Sequence, residues 1–151
     1  MGAAYFYHLT RQPLEHTLPV LLGKARQAGW RIAVRGTDSG RLAWLDERLW
    51  LGPDDGFLPH GVACGPHDAD QPILLTTGNA ANAAECMMAI DGAEIEPEEV
   101  NSLERVCILF DGNDPPAVQR AREQWKALTD AGCSAQYWSE DSGRWEKKAE
   151  R

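Results

Sequence analysis

Two carboxylates, Asp111 and Asp114, sit in the segment FDGND directly after the apolar run Val106 to Phe110. Paired carboxylates just past a buried strand can hold Mg²⁺ for phosphoryl chemistry, so a small Mg-dependent phosphotransfer or nuclease enzyme is one reading. The same residues also have a purely structural use. Asp111 and Gly112 suit a turn, and Asp114 suits the N-cap of a helix that opens on Pro115. The turn and cap reading is the stronger of the two. Other chemistry-bearing residues lack the company they would need. Ser39 or Ser102 as a nucleophile, with His8, His16, His60 or His67 as its base, has no nucleophile-elbow motif around it. GTDSG after Arg35 lacks the G-x-G-x-x-G spacing that brings a helix N-terminus onto a pyrophosphate. TTGNAAN after Leu75 has neither the lysine nor the second glycine of a phosphate-binding loop. Cys64 and His67 could supply half of a zinc site, but no second pair stands at ligand spacing. No catalytic residue, metal or cofactor is expected.

The stretch Pro115 to Ala131 carries a different signal. At about 100° per residue, Ala117, Ala121, Gln124, Leu128 and Ala131 fall on one side of a helix, with Val118 and Trp125 on its shoulder. Arg122 and Trp125 are neighbours at i, i+3, and Arg122 and Lys126 at i, i+4. The spacing sets a cationic edge beside an aromatic ring. It is equally what a core tryptophan beside a solvated face would look like. From spacing alone the second reading leads.

These residues need elements to hold them. Ala3 to His8 has strand character, and Pro13 to Ala28 carries Leu14, Leu18, Leu21, Leu22 and Ala25 at helical spacing. Pro19 within it predicts a kink or a later start. Trp30 to Arg35 reads as a buried strand and Arg41 to Trp50 as a helix. Leu51 to Gln71 reads as a long Gly/Pro/Asp-rich loop that contains the apolar patch FLPH. Ile73 to Leu75 and Cys86 to Ile90 are strand signals, and Glu94 to Leu103 is an acidic connector or short helix. Val106 to Phe110 suits a strand covered on both faces. The helix from Pro115 then leads to a last strand at Cys133 to Trp138. Strands separated by helices predict an α/β, Rossmann-like three-layer fold with a mostly parallel central sheet. One domain over residues 1–138 is expected, followed by a polar C-terminal tail over 139–151 that frays except where Trp145 docks.

Bulk properties narrow the partners. A chain of 151 residues can bury enough surface for one core without a metal or disulfide. Mean hydropathy of -0.44 and the lack of a long apolar run predict no membrane span and a cytoplasmic address. The cysteines at 64, 86, 107 and 133 form no C-x-x-C pair and read as reduced thiols. A net charge of -8 repels phosphate backbones, so direct DNA binding is disfavoured.

Several segments, taken together, resemble one family. YFYHL, LDERLW, FLPHG, QPILLTT, VCILFDGND, AREQWKAL and AQYWSEDSGRW run in the order of the chi subunit of bacterial DNA polymerase III and cover nearly the whole chain. That resemblance implies a Rossmann-like fold without nucleotide binding and a non-catalytic accessory role in the clamp-loader complex. It further implies a basic and aromatic site on the closing helix for the acidic, phenylalanine-terminated tail of single-stranded-DNA-binding protein. The matching positions are Arg122, Trp125 and Lys126, while Val118 stands where some members carry a further lysine. A second site, for the psi subunit or a helicase, maps to Trp50 and Phe57.

Overall fold

A computed structural model describes residues 2–10, 13–50, 60–62, 71–78, 82–139 and 145–150; Phe57, Cys64, His67 and the side chain of Trp50 lie outside the described residues. In chain order the elements are β1 (Ala3–Leu9), α1 (Leu14–Gln27), β2 (Ile32–Arg35), α2 (Ser39–Trp50), β3 (Gly61–Val62), β4 (Ile73–Thr76), β5 (Cys86–Ala89), α3 (Pro97–Ser102), β6 (Arg105–Asp111), α4 (Pro115–Asp130), β7 (Ser134–Ser139) and β8 (Glu146–Glu150). They form one sheet in the order β3-β4-β2-β5-β6-β1-β7-β8. Every pairing is parallel except β7 with β8. The fold is α/β with helices on both faces, a Rossmann-like three-layer arrangement. Among the described residues no helix is long and apolar enough to cross a membrane.

Strand alternation divides the core in two. Cys107 and Leu109 of β6 point with Val34 and Met88 toward Leu18 and Leu22 of α1 and Leu42, Leu45 and Leu49 of α2. Val106, Ile108 and Phe110 point with Phe6 and Met87 toward Val100 of α3 and Ala121 and Leu128 of α4. Burial on both faces is why VCILF is apolar at every position.

Three expectations are corrected. α1 begins at Leu14 and runs through Pro19, with no later start. The first four N–H groups of any helix lack an intrahelical partner, so a proline at the sixth position removes just one bond, that to Glu15. The segment read as loop after Leu51 contains the strand β3, which is parallel to β4. His60, almost fully buried, fixes it to α2 through the Asp46 carboxylate at 3.1 Å. The tail expected to fray instead supplies β8, whose residues pair with Gln136 to Ser139. Trp145 does dock, with its ring edge-on to Tyr7 at 5.3 Å.

One buried charge ties the loops together. Arg35, 8% exposed at the end of β2, donates two bonds to Glu99 of α3, at 3.0 and 2.6 Å. It also donates to the carbonyls of Gly78 and Glu94. The Glu99 carboxylate accepts from the backbone N–H of Glu96 and closes a capping box on α3.

Candidate functional site

In an open α/β sheet, ligands bind in the crevice outside the carboxyl ends of the strands, where the order reverses. Here that point lies between β1 and β6, because α1 and α4 leave them to opposite faces of the sheet. A crevice of about 910 Å³ opens there. Its described walls carry the carboxylates of Glu15, Asp91, Glu94, Glu96, Asp111, Asp114 and Glu123 against only two guanidinium groups, Arg41 and Arg120. Arg41 is already paired to Asp91 at 3.1 Å. Such a surround repels a phosphate.

The two aspartates proposed as metal ligands have structural work in this crevice. Asp111 Oδ1 accepts the backbone N–H of Asn113 at 2.9 Å, closing the turn after β6. Asp114 occupies the N-cap of α4 before Pro115, although its side chain makes no capping bond. Gly112 is needed because a Cβ there would overlap the ring of His8 at 1.9 Å. Among the described residues no three His, Cys, Asp or Glu side chains gather as a metal site.

A second, smaller hollow of about 350 Å³ lies on the other flank of α4, lined by Arg122, Trp125, Tyr137, Ala149 and Glu150. Its construction starts from the apolar stripe of α4. Ala121 and Leu128 are buried on the sheet, and Gln124 bonds both the N–H and the carbonyl of Ile95. That seating fixes the rotation of the helix. Trp125 therefore falls at the edge of the sheet, half-buried, with its ring edge-on to Phe6 at 5.3 Å and to Tyr137 at 6.1 Å. Tyr137 is held from behind by Phe110, and its hydroxyl bonds Nδ1 of His8. The aromatic wall is thus immobilised before any ligand arrives.

Arg122, one turn earlier, is exposed on the rim and makes no hydrogen bond or ion pair among the described residues. A guanidinium with five free donors beside an apolar hollow can take a carboxylate while the hollow takes the apolar group next to it. Lys126 does not line the hollow. It is turned along the helix to Asp130 at 2.9 Å, an exposed i, i+4 pair that costs little to break. The structure therefore brings Arg122 and Trp125 together and leaves Lys126 on the periphery. Trp125 packs against the core and also lines the hollow.

Tyr137, Ala149 and Glu150 were not anticipated. Tyr137 was within reach of the sequence, since alternation in β7 puts Ala135 and Tyr137 on one face and α4 precedes it directly. Ala149 and Glu150 were not, because nothing in EKKAE announces a strand.

A search of curated proteins gives no match to this sequence. A model of the family described as DNA polymerase III chi subunit, HolC, matches residues 1–136 of the chain, from β1 into the first half of β7. The chain therefore belongs to the DNA polymerase III chi subunit family and is an accessory subunit of that replicative polymerase.

Proposed function

We propose that this protein is the non-catalytic chi subunit of a cytoplasmic clamp-loader complex, and that the hollow beside α4 links the complex to the tail of single-stranded-DNA-binding protein. The observation that carries this is the Arg122 guanidinium, without a hydrogen-bond or ion-pair partner among the described residues, beside a pre-formed aromatic wall of Trp125 and Tyr137. A terminal phenylalanine fills the hollow while its carboxylate meets Arg122, and Lys126 is released from Asp130 to meet acidic residues further along the tail. The psi subunit or a helicase would be contacted through Phe57 and the side chain of Trp50, which lie outside the described residues.

The expected affinity is low. Burying the ring contributes roughly 1.5–3 kcal/mol, and each charge-assisted bond to the carboxylate about 1.5–3 kcal/mol. Association costs about 4 kcal/mol or more, which leaves a micromolar or weaker single tail. A partner that displays several tails makes up the rest by avidity. The net charge of -8 opposes an acidic peptide, so attraction is local and weakens with salt. Titration of a labelled tail peptide tests the reading: Arg122→Ala and removal of the terminal phenylalanine should each weaken binding about tenfold or more. Equal binding by wild type and Arg122→Ala would refute the site.

A further inference from the structure

We infer that β8 is a specificity wall of the tail-binding hollow, with Ala149 setting its depth. The inference rests on the tail-binding reading above and adds to it a segment that lies beyond the residues matched by the family, 1–136. β8 is an edge strand held to the sheet only through β7. Ala149 pairs in register with Tyr137 and so faces α4, where it completes the wall opposite Trp125. A methyl group at that place leaves room for one aromatic side chain. A larger residue would fill the hollow.

Glu150 also lines the hollow but does not give it a charge. It pairs in register with Gln136, whose side chain points to the sheet face away from Tyr137, and its carboxylate accepts from Gln136 Nε2 at 2.8 Å and is ion-paired to Lys147 Nζ at 3.3 Å. The selective element of β8 is therefore the depth set by Ala149.

A substitution in the wall separates this from a merely structural strand. Ala149→Tyr, which suits an exposed strand position, should leave the melting temperature unchanged and weaken the tail at least tenfold. Arg122→Ala is titrated alongside. If Arg122→Ala loses binding while Ala149→Tyr matches wild type, β8 is no wall and the tail site stands without it. Absence of binding by the wild type itself overturns both readings.

Discussion

Glu99→Ala should be among the most damaging single substitutions outside the apolar core. Removing a partner from a fully buried ion pair costs about 3–5 kcal/mol, and from an exposed one about 0–1 kcal/mol. The Arg35 and Glu99 side chains are 10% and 26% exposed, which puts the pair between those limits but nearer the first. Loss of the carboxylate also orphans the N–H of Glu96 at the start of α3. A net cost of about 2–3 kcal/mol follows. With a urea dependence of about 2 kcal/mol per molar, the unfolding midpoint should fall by about 1–1.5 M. Glu99→Gln keeps the capping acceptor and loses the charge, so it should cost less. Hydrogen bonds from Arg35 hold the Glu99 carboxyl below its usual value of 4.5. A depressed carboxylate stabilises the fold fully above the unfolded value and loses that contribution as pH falls through the folded one. The gap between wild type and Glu99→Gln should therefore be constant from neutrality down to about pH 5 and close below it. Urea titrations of the three proteins between pH 7 and pH 3 measure this. A gap that persists unchanged at pH 3, or a Glu99→Ala cost under about 1 kcal/mol, would refute the assignment of the pair as a buried anchor.

The turn after β5 gives a second test, since Gly92 has φ +81° and a Cβ there would lie 2.8 Å from Nε of Arg120; Gly92→Ala should cost about 1–2 kcal/mol in a thermal melt, and an unchanged midpoint would contradict the left-handed turn. Thiol chemistry gives a third. A hydrogen bond with Cys86 and burial push the Cys107 thiol up, and both sulfurs lie inside the sheet, so mass-mapped alkylation at pH 8 should label Cys107 only at the rate of global unfolding. Labelling within minutes in the absence of urea would show that β5 and β6 open locally.

What the sequence disclosed follows from where each element gets its stability. β6 and α4 draw theirs from side-chain burial, so VCILF and the stripe of Ala121 and Leu128 write their position into residue type. β8 draws its stability from backbone bonds to β7, and EKKAE has no apolar periodicity to betray it. β3, two residues long amid glycine and proline, is invisible for the same reason. The site divides along the same line. Arg122 and Trp125 were legible because i, i+3 adjacency is a property of any helix. Lys126 was placed in the same edge by that rule, yet the rule applied once more, to Lys126 and Asp130, pairs it along the helix instead. Ala149 and Glu150 required knowing that the chain turns back antiparallel after Ser139, which is a fact of tertiary structure.

The position of the hollow also bears on how a fold built for ligands at its strand ends can serve as an accessory subunit of a polymerase. A Rossmann-like sheet offers one crevice by topology, and this chain fills the walls of that crevice with carboxylates while using Asp111 to close a turn. Arg122 stands instead on the outer flank of α4, where the sheet ends in β7 and β8 and the half-buried rings of Trp125 and Tyr137 are backed by the buried Phe6 and Phe110. An enclosed crevice suits a small molecule that must be desolvated for reaction. An open hollow at a sheet edge suits a peptide that must remain attached to a large partner and leave again. The charge of the whole molecule sharpens the difference, because at -8 only a cation at the very rim can attract an acidic chain. Replacing Arg122 removes the cation nearest the hollow and should weaken the tail about tenfold or more, whereas neutralising the crevice carboxylates would leave the hollow's geometry intact, and the two sets of variants should separate in a tail titration accordingly.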